Sequence, residues 1–238
     1  MKRGSIMRVS AVIVGAGSST RMGKAISKQL IKLMNTEVIV HTLMAFEQSR
    51  LVNNVVVVCR NEDTEAIEKL IELYGITKVT ALTAGGSTRQ QSVLKGVNIV
   101  KNTADLIAIH DGARPLVLPQ DIDRAVENAC IYKAAALGVA VKDTIKVVNH
   151  DGCIVDTPDR STLVSIQTPQ IFETKLYVKA AAAAEKQGRD YTDDCQLIEA
   201  LGQRVYVTEG SYTNIKVTTP EDIILAEGIL SNRRNMEV

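Results

Sequence analysis

Val9-Ser10-Ala11-Val12-Ile13-Val14-Gly15-Ala16-Gly17-Ser18-Ser19-Thr20-Arg21-Met22-Gly23 is followed closely by Ser27-Lys28-Gln29. The first six residues are β-branched or small and almost uninterruptedly apolar, so they predict a strand buried on both faces. A turn of glycine, alanine and serine follows. Small residues there let backbone N–H groups close around an anion. Arg21 and Lys28 stand within reach to neutralise its charge. The arrangement points to a phosphate site at the carboxyl end of the first strand. The competing reading is a tight strand-to-helix turn whose two cations merely face water.

Strand-like and helix-like runs alternate outward from this start. Strands are expected at Val55–Val58, Lys78–Leu82, Leu106–Ile109 and Ala135–Val141. Helices are expected at Val38–Ser49, Glu62–Tyr74 (closed by Gly75), Thr88–Val100 and Pro119 to about Tyr132. This order implies an α/β fold: a mostly parallel, Rossmann-like twisted sheet with helices on both faces. Ligands in such sheets bind outside the carboxyl ends of the strands. Asp143–Asp156 breaks the pattern. Its two β-rich arms flank Asp151-Gly152, the signature of a hairpin. A lone hairpin is marginal in water, so this protruding β-arm needs a partner surface. That surface is either its own domain or a second subunit, and the exchanged arm is the preferred reading. Helices at Glu173–Gln187 and Asp193–Ala200, a strand at Arg204–Val207 and a helix at Pro220–Leu230 complete the chain. One domain over residues 1–238 is expected, with 142–160 as the arm.

Composition narrows the function. Of 238 residues, 28 are Lys or Arg and 27 are Asp or Glu, a net charge of +1. That near balance speaks against a nucleic-acid binder held by bulk charge and against a polybasic membrane surface. With only 3% aromatics, a base-stacking platform is not expected. No apolar run reaches membrane-spanning length. Cys59, Cys130, Cys153 and Cys195 form no CxxC pair, and His41, His110 and His150 have no zinc-like spacing. Reduced thiols in a cytoplasmic protein are the expectation.

The first loop is neither a dinucleotide fingerprint nor a Walker A loop. It lacks the third glycine, the second strand ends on Cys59-Arg60 rather than an acid, and Gly23-Lys24 is followed by Ala25. Two further loops share its end of the sheet. Gly85-Gly86-Ser87-Thr88-Arg89-Gln90-Gln91-Ser92-Val93 is a glycine turn at a helix start, with amides and hydroxyls suited to base edges or phosphate. His110-Asp111-Gly112-Ala113-Arg114-Pro115 places an acid at a strand end, a common magnesium or ribose contact. An internal Asp111–Arg114 ion pair is the other reading there, and His110 reads as a packed residue rather than a catalyst.

With Asp143-Thr144, Arg160, Gln167-Thr168-Pro169-Gln170, Tyr191-Thr192-Asp193-Asp194 and Asn214-Ile215-Lys216-Val217-Thr218, these loops resemble the nucleotidylyltransferases that use a sugar or polyol phosphate. Among them the chain is most similar to the 2-C-methyl-D-erythritol 4-phosphate cytidylyltransferases, nearly end to end. The resemblance implies a GT-A-like fold. It implies a reaction of CTP with that polyol phosphate, giving the CDP-linked alcohol and pyrophosphate with Mg²⁺ on the non-mevalonate isoprenoid route. It assigns Ala16, Gly17, Ser18, Gly85, Gly86, Ser87, Arg89 and Ser92 to the nucleotide. Arg21 and Lys28 fall to the α-phosphate, and Arg160 and Lys216 to the acceptor phosphate. Asp111, Arg114, Thr144, Thr168 and Thr192 assist on the substrate side, with Asp111 near the metal. It also implies a homodimer in which the residues matching Thr144 and Arg160 reach the neighbouring site. Two alternatives stand beside it: a ribitol 5-phosphate cytidylyltransferase, and a non-catalytic CTP-binding module. Gly112-Ala113 and Thr157-Pro158-Asp159-Arg160 favour methylerythritol phosphate over ribitol phosphate. Arg160, Lys216 and the Gln-Thr-Pro-Gln run speak against a module without an acceptor.

Overall fold

β1, Val9–Val14, is an interior strand of the main sheet with five of its six residues buried. The structure, a computed structural model, describes residues 7–17 and 27–236. β1 pairs in parallel with β4 (Asn54–Cys59) on one side and β6 (Leu106–Asp111) on the other. β5 (Val79–Ala84) extends the sheet beyond β4. On the far side come β10 (Val164–Glu173), β7 (Ala134–Ala140) and β11 (Tyr206–Glu209), giving the order β11-β7-β10-β6-β1-β4-β5. The chain builds outward from β1 to β5 and then crosses back to β6. The strand order therefore reverses between β1 and β6, where the register sets Val14 beside Asp111.

Two cores sandwich the sheet, because alternate residues of each central strand face opposite layers. Val9, Ala11 and Ile13 of β1 join one core with α1 (Val38–Gln48), α2 (Thr64–Leu73) and α4 (Pro119–Tyr132). Val12 joins the other, with α3 (Arg89–Val100), α5 (Thr174–Lys186) and α6 (Asp194–Glu199). Helices on both faces of a mostly parallel sheet match the sequence expectation. So do the start of α4 at Pro119 and the left-handed Gly75 that ends the α2 segment. Gly96 lets α3 approach closely, since a Cβ there would overlap the Val12 and Val58 side chains. That contact sets the depth of the loop preceding α3. A third, smaller core joins α7 (Pro220–Met236) to a short hairpin, β2 (Lys32–Leu33) and β3 (Thr36–Glu37), and to Leu116 and Val217. It anchors the segments that carry Lys28 and Lys216.

β10 is the departure from the sequence reading. Among the described residues it is the one strand antiparallel to its neighbours in the main sheet, wedged between β6 and β7. Its signal is masked because Ser165, Gln167, Thr168 and Gln170 are polar and Pro169 has no N–H to donate. The ladder to β7 shifts register between Ile166 and Gln170, around the cis Thr168–Pro169 bond. The arm is shorter than expected: β8 (Val147–Val148) pairs with β9 (Ile154–Asp156), and every residue from 142 to 157 is exposed. The closing helix runs on to Met236, six residues beyond its expected end. All four cysteines are free, and no helix among the described residues is long and apolar enough to cross a membrane.

Candidate active site

A cleft of about 410 Å³ opens at the β1/β6 reversal, where α/β sheets bind their ligands. Ala16, Gly17, Lys28 and Gln29 line it from the first loop. Gly86, Ser87, Thr88, Arg89 and Ser92 line it from the second, and Asp111, Ala113 and Lys216 complete the wall. The two loops touch: a Cβ on Gly85 would collide with the Ala16 methyl. Glycine is therefore required at 85 for the backbone groups of both loops to face one space.

Side chains from the first turns of α3 fix the second loop. Thr88 caps the helix by accepting from the Gln91 N–H. Ser92 Oγ accepts from Gly86 N–H at 3.0 Å and donates to Thr88 O at 2.9 Å. Gln91 Oε1 accepts from both the N–H and the hydroxyl of Ser87. Lys95 Nζ donates to Gly85 O at 2.7 Å. A loop held at four points is pre-organised, so ordering it costs little when an anion arrives.

Asp111 is the electrostatic hub. Lys216 Nζ lies 2.9 Å from its carboxylate, Arg114 Nε 3.6 Å and Arg89 Nε 3.7 Å. Burial works to protonate Asp111, but Lys216 and Arg89, then Arg114, outweigh it and hold the carboxyl well below the usual range. The expected Asp111–Arg114 ion pair is present, and the same acid lines the cleft. Arg114 donates from Nη1 to Asn214 O at 2.8 Å, which ties the Lys216 segment to the β6 end. Val217 N–H donates to Ala113 O at the same seam.

Beneath the hub, Thr168 Oγ1 accepts from Asp111 N–H at 3.0 Å and meets His110 Nδ1 at 3.0 Å. His110 Nε2 faces Arg114 O at 3.3 Å. Burial pushes the imidazole pKa down to about 3, so His110 is neutral at pH 7. A carbonyl can only accept, so Nε2 carries the proton and Nδ1 accepts from the Thr168 hydroxyl. His110 is thus a packed strut, as expected.

The cleft gathers most, not all, of the expected residues. Ser18 and Arg21 lie outside the described residues. Thr168 braces Asp111 from behind rather than lining the cleft. Thr192 is exposed, on a segment whose backbone is clamped by Gln90 through Arg189 O and Tyr191 N–H. Thr144 and Arg160 sit on the exposed arm, where Arg160 donates to Lys142 O at 2.8 Å, and neither lines the cleft. The sequence reading missed Asp194 as a partner of Arg89, Tyr177 beneath it, and Asn214 behind Arg114. Arg89 and Asp194 are 105 residues apart in the chain, and no local pattern links them.

The sheet reverses its strand order at a pre-formed glycine cleft in which several cations surround one ionised acid. The model of the family described as "IspD: 2-C-methyl-D-erythritol 4-phosphate cytidylyltransferase" matches residues 9–232. A cytidylyltransferase of that name from Caldanaerobacter subterraneus subsp. tengcongensis is 46% identical over 222 residues, 93% of this chain and 98% of its own. Its counterpart from Clostridium novyi is 43% identical over 93% of this chain and 96% of its own. The crystal structure of 4-diphosphocytidyl-2C-methyl-D-erythritol synthase from Anaerococcus prevotii superposes with a TM-score of 0.85 at 30% identity, covering 94% of this chain and 96% of that one. The chain belongs to the 2-C-methyl-D-erythritol 4-phosphate cytidylyltransferase family, enzymes that move a cytidylyl group from CTP to that polyol phosphate.

Proposed function

We propose that this cleft binds CTP and that an arm from a second copy completes the acceptor site. The observation that carries the reading is the gathering of Lys28, Arg89 and Lys216 with Asp111 in one cleft walled by two glycine loops. In the reaction, a phosphate oxygen of methylerythritol phosphate attacks the α-phosphorus of CTP. The new P–O bond forms as the bond to the β-phosphate oxygen breaks, and pyrophosphate leaves. The attacking oxygen is already ionised at neutral pH, so no general base is needed, in keeping with a neutral, buried His110. The obstacle is repulsion between two anions, and positioned cations answer it.

Ala16, Gly17, Gly85, Gly86, Ser87 and Ser92 would hold cytidine, with Ser18 from the loop beyond the described residues. Lys28 and Arg21 would compensate charge at the α-phosphate. Lys216, with Arg160, would orient the acceptor phosphate, aided by Arg114, Thr144 and Thr192, while Thr168 would act through Asp111 from behind. Arrival of polyphosphate would give Lys216 and Arg89 a second anionic partner beside Asp111.

A magnesium ion fits the residues present. Among the described residues no group of three or more His, Cys, Asp or Glu could form a protein cage. Asp111 is ionised, and magnesium characteristically takes one or two carboxylates with the rest from phosphates and water. Asp111 would hold it, and the ion would supply Lewis-acid charge compensation on the phosphates.

The arm is the basis for a homodimer. Residues 142–157 are exposed throughout, including Ile145, Val147, Val148, Ile154 and Val155. An apolar hairpin of this length needs a surface to cover it. The chain would act as one nucleotidyltransferase domain over 1–238 with 142–160 exchanged. Four unpaired cysteines suit a cytoplasmic location. Pyrophosphate release with Mg²⁺ and CTP tests the reading. Release is expected with methylerythritol phosphate and not with ribitol 5-phosphate. Equal release with ribitol 5-phosphate, or CTP binding with no turnover on either, would overturn it.

A further inference from the structure

Arg89 has two carboxylates to choose between, and the structure shows which one holds it. Its Nη1 lies 2.5 Å from Asp194 Oδ2, whereas its Nε is 3.7 Å from Asp111 Oδ1. The second distance lies beyond hydrogen-bonding reach. The Asp194 side chain is 1% exposed, and its other oxygen accepts from the Tyr177 hydroxyl at 2.7 Å. Tyr177 is itself fully buried in the α5 layer. A rigid chain therefore runs from the core, Tyr177 to Asp194 to Arg89, and ends in the cleft, where Arg89 keeps a quarter of its side chain open.

Four further hydrogen bonds fix the segment that leads into Asp194. Asp193 caps α6 by accepting from Cys195 N–H at 2.6 Å, and its second oxygen accepts from Gln170 Nε2 at 3.2 Å. Gln90, the neighbour of Arg89, grips the backbone on either side of Asp190. The acid is fixed from β10, α3 and α5 at once.

We propose that Asp194, braced by Tyr177, is a positioning residue that holds the Arg89 guanidinium back from Asp111 and toward the nucleotide. Were Asp194 uncharged, Arg89 would have Asp111 as its remaining carboxylate partner within reach. Closing on Asp111 Oδ1 would withdraw Arg89 from the CTP subsite and crowd the one oxygen of Asp111 that Lys216 and Arg114 leave open. The pair is buried at the acid and open at the base, so the anchor stays in the core while the guanidinium it holds lines the cleft. The inference rests on the assignment of Arg89 to nucleotide binding above.

A double-mutant cycle tests it, read as the CTP dissociation constant by calorimetry with Mg²⁺ present. Arg89→Gln should weaken CTP by about tenfold or more, as loss of a charged contact does. Asp194→Asn should reproduce most of that loss, and the double variant should be no worse than Arg89→Gln alone. Tyr177→Phe should give a smaller loss, roughly threefold, in the same direction. It serves in place of Asp194→Asn if that variant fails to fold. KM for CTP should rise in these variants while KM for methylerythritol phosphate stays within about twofold. Additive losses in the double variant would overturn the proposal, as would an Asp194→Asn or Tyr177→Phe protein that binds CTP like the wild type. If Arg89→Gln itself binds CTP normally, the nucleotide assignment of Arg89 fails, and the proposal with it. If Arg89→Gln weakens CTP but Asp194→Asn does not, the assignment survives and the proposal alone falls.

Discussion

The cleft and the arm carry the same kinds of residue in opposite circumstances. In the cleft, Arg89, Arg114 and Lys216 converge on Asp111, and each cation has a partner within the chain. On the arm, Arg160 donates to a backbone carbonyl, Thr144 faces outward, and strands of two and three residues support the whole. The difference teaches that the cleft holds its geometry with partners from its own chain, while the arm does not. A buried hub holds its geometry alone because desolvation and pairing over-determine it. An exposed hairpin holds its geometry only when something covers it.

The largest expected effect lies in the cleft. Lys28→Ala and Lys216→Ala should each lower kcat by about 10² or more, the usual scale for losing a transition-state charge contact. Steady-state turnover within threefold of the wild type would remove these lysines from the chemistry. Next comes the arm. Deleting Val147–Ile154 should give monomers in sedimentation and raise KM for methylerythritol phosphate by roughly tenfold or more, with CTP affinity kept. A dimer of full activity would erase the distinction between the two regions.

A third expectation is a pH dependence of stability that arises beneath the cleft. His110 binds its proton at about 3 in the fold and near 6.5 when unfolded. Between those values the unfolded chain binds more protons, so stability falls as pH drops from 6.5 toward 3. The slope from this residue is at most about 1.4 kcal/mol per pH unit. In urea titrations across this range His110→Gln should flatten that part of the slope, and an unchanged slope would contradict a neutral buried imidazole. Asp111, depressed and still ionised, should keep its contribution until more acidic pH than an ordinary aspartate.

Where periodicity and turn chemistry governed, the sequence was readable. The limits of β1 and the Pro119 start of α4 were both visible in the residues, as was the cluster of loops at the strand ends. Reading failed where function overrode local pattern. β10 carries Gln167, Thr168 and Gln170 at buried positions because they brace Asp111, Asn214 and Asp193, and those polar residues hide the strand. The Arg89–Asp194 pair was invisible for a different reason, since only the tertiary fold brings its two ends, far apart in the chain, together. Arg160 was legible by resemblance alone, and its place within one chain does not explain it.

Subunit complementation tests the central claim most directly. Lys28→Ala and Arg160→Ala variants, each expected to be nearly inactive alone, are mixed under conditions that allow subunit exchange, and turnover is measured. If each site pairs a cleft from one chain with an arm from the other, one site in each mixed dimer regains both residues. An equal mixture should then recover about one quarter of wild-type activity, since half the dimers are mixed and half their sites restored. A fully exchanged mixture no more active than its two parents would show that Arg160 serves its own chain's cleft or none, and would contradict the account.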